Sequence, residues 1–216
     1  MVQSQGLPPL DVILPSFITL VLSLSFHEAA HAWTADRLGD PTARLLGRLT
    51  LNPIAHIDLI GTVLFPLIAM TSNLPIIGWA KPVPVNWNNL RHPRRDFAVV
   101  ALAGPVSNLI LASVGAIVFM LLPAQADGSL VAMSPVGNIV FMFVLLNVLL
   151  AVFNMIPVPP LDGGNVLMGL VPESAARVID QLRPYGFVIL YAMMFLGTYA
   201  AITTPVLHTV TRWLLR

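Results

Sequence analysis

Cysteine is absent from this 216-residue chain, and charge is scarce: 10% of the residues are Asp, Glu, Lys or Arg, against 56% hydrophobic. The first absence excludes disulfides, a thiolate nucleophile and thiolate metal ligands. The second excludes an ordinary water-soluble domain, in which about a quarter of the residues are charged. Net charge is also nearly absent, at a formal +1, so no basic field points to nucleic acid. Internal repeats, low-complexity tracts and long polar segments are missing too, which argues for one domain over residues 1–216. Any metal site must be assembled from five His and ten acidic residues.

What the chain does have is long apolar runs: Val12 to Trp33, Ile57 to Trp79, Phe97 to Leu122, Leu130 to Ile156 and Tyr185 to Leu207. Each is close to the roughly 20 residues that cross a bilayer as a helix. The first is expected to persist in the mature protein, because no basic segment precedes it and it carries the richest motif in the chain. If all five runs cross, the eleven Lys and Arg divide five against six between the two sides, with no bias. If Ile57 to Trp79 dips in and returns, Arg37, Arg44, Arg48, Lys81, Arg91, Arg94, Arg95, Arg177 and Arg183 share one side, nine against two. The expected fold is therefore all-α and polytopic, with four transmembrane helices, one re-entrant segment and the N-terminus outside. Pro66 and Pro75 within that run, with Gly61 and Gly78 near its ends, fit a broken segment packed in protein. The alternative is a kinked further span, for five or six in all. Pro205 to Arg216 reads either as part of the last span or as an interfacial helix.

Inside the first run stands Phe26-His27-Glu28-Ala29-Ala30-His31, an H-E-x-x-H. Residues four apart on a helix differ by about 40° of rotation and one turn of rise, so His27 and His31 can chelate one ion. Glu28, about 100° away, is suited to take a proton from a water activated by that ion. Imidazole and carboxylate with an open position are the pattern of catalytic zinc. On a charged surface helix the same motif arises by chance. Here its neighbours from Leu20 to Trp33 are almost all apolar, where each ionisable group costs about 2.5–3.5 kcal/mol and is by default functional.

A third ligand has to come from elsewhere. Asp162 follows the run Leu130 to Ile156, in Asn154-Met155-Ile156-Pro157-Val158-Pro159-Pro160-Leu161-Asp162-Gly163-Gly164. The prolines stop the helix, and the glycines permit a close or left-handed turn beside the carboxylate. Taken alone, this reads equally as a turn at a membrane exit. In the four-span arrangement, however, Asp162 and the His pair reach the same inner face.

Together, His27-Glu28-x-x-His31, Ala103-Gly104-Pro105-Val106-Ser107-Asn108 and the segment from Asn154 to Gly163 resemble the site-2 protease family of intramembrane zinc metalloproteases. The likeness runs from about Leu20 to Gly164 and is nearest to compact bacterial and archaeal members without a PDZ domain. The resemblance implies one zinc per chain on His27, His31 and Asp162, with Glu28 catalytic and Asn154 holding substrate or oxyanion. It implies a catalytic core over about residues 12–165, followed by C-terminal helices over about 172–216. It further implies hydrolysis of peptide bonds in or near transmembrane helices of substrate proteins, in a prokaryotic cell membrane, with the site toward the cytoplasm. Only Pro123 to Ser129 lies where larger members insert a PDZ domain.

The remaining polar residues divide by setting. Gly104 and Pro105 read as a close-packing and kink site, and Asn108 and Asn147 as interhelical hydrogen-bonding residues. His56 and Asp58 read as a helix cap or as partners orienting a ligand imidazole. His92 and His208 are expected to face interfacial water. A small membrane-associated β element is expected from Ala43 to Leu51, beside an extended Trp79 to Val85 in which Pro82 and Pro84 blunt one edge. An unwound substrate would then add to the strand Arg44 to Leu51. A metal carrier and a non-proteolytic scaffold for membrane helices are the alternative functions, and neither needs Glu28.

Overall fold

A chain surrounded by lipid has to satisfy its backbone internally, and this one does so with helices. The computed structural model describes residues 10–64, 79–123 and 134–215. Its α-helices are α1 (Leu10–Arg37), α2 (Thr42–Leu45), α3 (Pro93–Leu121), α4 (Pro135–Asn154), α5 (Asp162–Leu170), α6 (Glu173–Gln181), α7 (Gly186–Phe195) and α8 (Thr198–Leu214). Three are long and apolar enough to cross a membrane: Ile13–Arg37 of α1 with 25 residues, α3 with 29 and α4 with 20. The chain is a membrane protein built on these three.

A fourth crossing does not appear as one straight helix. The run Tyr185 to Leu207 is broken at Gly197, whose φ of 75° is left-handed and ends α7, and the two sides of the break are bent by 68°. Pro205, by contrast, lies inside α8 and starts no separate helix. Of the expected re-entrant run, only a π-helical turn at Leu59–Leu64 and the far end at Trp79 are described, residues 65–78 lying outside the described residues. The linker from Pro123 to Ser129 is likewise outside them beyond Pro123.

The expected β element is not there: among the described residues no strand is formed. From Ala43 to Leu51 the chain instead forms α2 and a turn at Gly47 (φ 68°), closed by Arg48 N–H to Ala43 O at 2.8 Å. Local hydrogen bonds reach these donors before any strand partner does. Trp79 to Val85 is extended, but its donors go to scattered acceptors. Lys81 N–H bonds His56 O at 2.9 Å and Val83 N–H bonds the Glu28 carboxylate at 2.9 Å.

Small residues let the three spans approach. A Cβ on Gly115 of α3 would lie 2.8 Å from the Phe143 ring of α4. Beside it Ala112, Ala116, Phe119, Val144, Val148 and Leu214 form an apolar core that docks the end of α8. At the other end α1 stops at Gly39, whose φ of 113° and close approach to Asn89 O exclude a larger residue. α3 begins with Pro93 at its first turn, while the Asp96 carboxylate reaches back to accept from His92 N–H at 2.8 Å.

Asp40, fully buried, ties the α1–α2 turn to the segment ahead of α3. Its carboxylate accepts from Thr42, from Asn86 N–H at 2.7 Å and from the Asn89 amide at 2.9 Å. Burial alone would raise its pKa, but these hydrogen bonds hold it below the ordinary carboxylate value. The ionised form is thus favoured by folding, and the stability it contributes is present above the unfolded value of about 4 and lost as pH falls below it. Asp40→Asn should therefore lower the thermal unfolding temperature at neutral pH in detergent, and its deficit against wild type should shrink below about pH 4.

Candidate metal centre

The site forms where α1, α3 and α5 meet. On α1, the four-residue spacing of His27 and His31 brings their Nε2 atoms to 3.0 Å from each other. Asp162 Oδ2 lies 3.1 Å from His27 Nε2 and 3.4 Å from His31 Nε2. One ligand atom from each of the three residues falls within 4.8 Å of the other two. Both imidazoles are buried, and Asp162 nearly so.

How Asp162 arrives there follows from its motif. α4 ends at Asn154, a proline-rich turn reverses the chain, and α5 begins at Asp162 itself. A Cβ on Gly163 would lie 2.3 Å from Met155 O, and one on Gly164 2.5 Å from Pro159 N. The two glycines are thus needed for close approach of backbone to backbone; neither adopts a positive φ. Arg94 Nε, 2.8 Å from Met168 O, anchors the other end of α5 to the start of α3. A carboxylate in the first turn also suits the positive end of the helix dipole.

The donor set fits a cation. His31 Nδ1 is 2.7 Å from Val100 O, which can only accept, so in the neutral ring the proton is on Nδ1 and Nε2 offers a lone pair. His27 Nδ1 is likewise 2.7 Å from a side-chain oxygen, that of Asn108. Asp162 Oδ2 is buried with no hydrogen-bond partner among the described residues. Three lone-pair atoms thus face one another with no hydrogen between neutral rings, an arrangement that a divalent ion satisfies. Gly104 of α3 leaves the space: a Cβ there would lie 2.4 Å from His31 Nε2 and 2.6 Å from His27 Nε2.

Glu28 is not part of this cluster. It is buried in the wall of the same cavity of about 630 Å³, its carboxylate held by Val83 N–H. Asn154 also lines the cavity, with one hydrogen of its amide given to Leu150 O at 2.9 Å and a second left for another acceptor. The rest of the wall is largely aromatic and apolar, including Trp79, Trp87, Phe153 and Phe187.

His56 and Asp58 stay away from the centre. His56 Nε2 bonds Thr50 O at 2.8 Å, and Asp58 accepts from Ile60 and Gly61 N–H, capping the π-helical turn. His92 and His208 are exposed. Sequence reasoning did not single out two polar wall residues, Asn165 and Arg183, joined at 3.1 Å. Asn165 lies three residues after Asp162 and so shares its helix face, a legible signal. Arg183 sends none, because only the return of the chain after α6 brings it there.

Comparison with known proteins points the same way. The model of peptidase family M50 matches residues 120–197. The chain is 39% identical over 194 residues to "Putative zinc metalloprotease YwhC" of Bacillus subtilis, an alignment covering 88% of this chain and 85% of that protein. It is 30% identical over 177 residues to "Putative zinc metalloprotease Rip2" of Mycolicibacterium smegmatis, covering 81% of this chain and 64% of that one. No solved structure matches it.

The fit at Gly104 makes a prediction. Gly104→Ala should displace the imidazoles and sharply lower the zinc content of the purified protein, measured by elemental analysis. Gly115→Ala, whose Cβ meets only a movable Phe143 ring and Val144, should retain zinc.

Proposed function

The chain belongs to peptidase family M50, the site-2 protease family, and is a zinc metalloendopeptidase; from that premise we propose that it cleaves transmembrane-helix substrates within or beside the bilayer, with His27, His31 and Asp162 holding the zinc. The observation that carries this reading is the convergence of three lone-pair atoms beside the buried Glu28 carboxylate, at a cavity walled by all three apolar spans, α1, α3 and α4. A single catalytic unit over residues 1–216 is part of the proposal. So are a four-crossing topology, with the bent pair α6–α8 as the fourth, and a prokaryotic cell membrane with the site toward the cytoplasm.

Zinc, when bound, supplies a Lewis acid that activates water and polarises a carbonyl. The chain's own residues do the rest. His27 and His31, fixed through their Nδ1 atoms, keep both Nε2 lone pairs aimed at the ion. Glu28 acts as general base toward the attacking water and returns the proton to the leaving amine nitrogen. The bond from Val83 N–H orients that carboxylate, and because Val83 lies between Pro82 and Pro84 the segment stays extended across it. Asn154 has a spare amide hydrogen for the substrate carbonyl oxygen as it becomes negative. The aromatic wall excludes bulk water and accepts apolar side chains of an unwound helix. No strand forms at Arg44 to Leu51, so that segment offers an unwound substrate no edge to pair with.

The test is co-expression with a panel of tagged single-span proteins. Wild type should cut at least one, while Glu28→Gln should keep its zinc and lose cleavage by about 10²–10⁴-fold. Absence of zinc from wild type, or cleavage that survives the substitution, would refute the reading. Val83→Pro removes the N–H that holds Glu28 and should cripple cleavage of the same substrate, whereas Val85→Thr should leave most of it.

A further inference from the structure

Two asparagines stand between His27 and a backbone carbonyl, and together they admit one arrangement of hydrogens. Phe143 O can only accept, so the Asn147 side-chain atom 2.9 Å from it is the amide nitrogen. The same nitrogen gives its other hydrogen to Ser23 Oγ at 2.9 Å. Asn147 Oδ1 is thereby turned toward Asn108 and takes a hydrogen from Asn108 Nδ2 at 3.0 Å. The second Nδ2 hydrogen points to Ser23 O at 3.5 Å, another group that only accepts. Asn108 Oδ1 is what remains to face His27 Nδ1, at 2.7 Å, and an acceptor there requires the ring to carry its proton on Nδ1.

Ser23, Asn108 and Asn147 are all 0% exposed, so water cannot replace any link. Their helices, α1, α3 and α4, are the three long spans.

We propose that Asn108, Asn147 and Ser23 form a positioning relay, anchored on Phe143 O, that fixes the Nδ1–H tautomer of His27 and so presents its Nε2 lone pair before zinc arrives. The inference rests on His27 being a zinc ligand, as proposed above. None of the three touches the metal pole. With Asn147 removed, only the long 3.5 Å bond to Ser23 O resists turning the Asn108 amide over, and a turned amide offers a hydrogen to Nδ1. The ring then moves its own proton to Nε2, the nitrogen that must be bare for zinc. His31 supplies an internal control, because its Nδ1 is held directly by Val100 O and needs no relay.

The tautomers are read by nitrogen NMR on zinc-free protein labelled with 15N-histidine, in lipid bilayers, at a pH raised until the spectra show both rings neutral. The chain has five His, so the signals of His27 and His31 can be assigned with His27→Gln and His31→Gln. In wild type both rings should carry the proton on Nδ1. Asn147→Leu should move His27, but not His31, toward the Nε2–H form and weaken zinc binding by about 10–100-fold in chelator competition. An Nε2–H ring at His27 in wild type overturns the relay. So does Asn147→Leu leaving the His27 tautomer unchanged, or shifting His31 equally, which would mark general loosening of the bundle. If Asn147→Leu does not fold, Asn108→Asp decides: its carboxylate still accepts from Nδ1, so His27 must keep the Nδ1–H form. Failure of wild type to bind zinc would defeat the ligand assignment instead, and the tautomers, measured without metal, would still decide the relay.

Discussion

Everything in this structure answers to one requirement: two imidazole nitrogens and a carboxylate oxygen must face one another inside an apolar bundle with their lone pairs bare. Each is a group that seeks a hydrogen, and three of them pointed inward repel until a cation joins them. The fold opposes that repulsion from behind. Val100 O takes the rear of one ring, Asn108 the rear of the other, and the start of α5 is pressed against the end of α4 by two glycines that cannot be enlarged. α3 completes the arrangement by having no side chain at Gly104, where its backbone passes the ring nitrogens. The apolar surroundings raise the penalty for any misplaced polar group, so the same environment that makes the site expensive also makes it specific.

Polar side chains in the spans are few, and almost every one is engaged. Ser23, Asn108 and Asn147 join three helices at one level, while Gly115 lets two of them close at another. In lipid, where apolar contact alone gives little preference between neighbours, such links decide which faces meet. The Glu28 carboxylate is held by different means. Its partner is a backbone N–H from an extended segment between prolines, so its orientation depends on a stretch of chain outside the bundle.

Much of the centre was legible in the sequence because the periodicity of a helix is fixed: His27 and His31 can meet at one point on any straight helix. Asp162 was legible more weakly, through prolines and glycines that mark a reversal, though not through the helix that starts on it. One expectation failed, and the last run took a form that hydropathy does not show. Around Ala43 to Leu51, composition allowed a strand, but carbonyls a few residues back, Pro41 O, Thr42 O and Ala43 O, captured the donors first. In the last apolar run hydropathy stayed high across Gly197, and only its left-handed backbone reveals the bend. Arg183 and the hold of Val83 on Glu28 depend on tertiary return of the chain, for which a single sequence carries no local mark.

The separation along the chain between His31 and Asp162 bears on when the centre can be complete. Ribosomes deliver α1 first, and α3 and α4 follow, each able to enter the membrane as a helix in its own right. Until the turn after α4 has emerged and α5 has folded back beneath it, two histidines and a glutamate sit in the bilayer without their third partner. A chain that ends before α5 therefore lacks the carboxylate that completes the three-residue cluster.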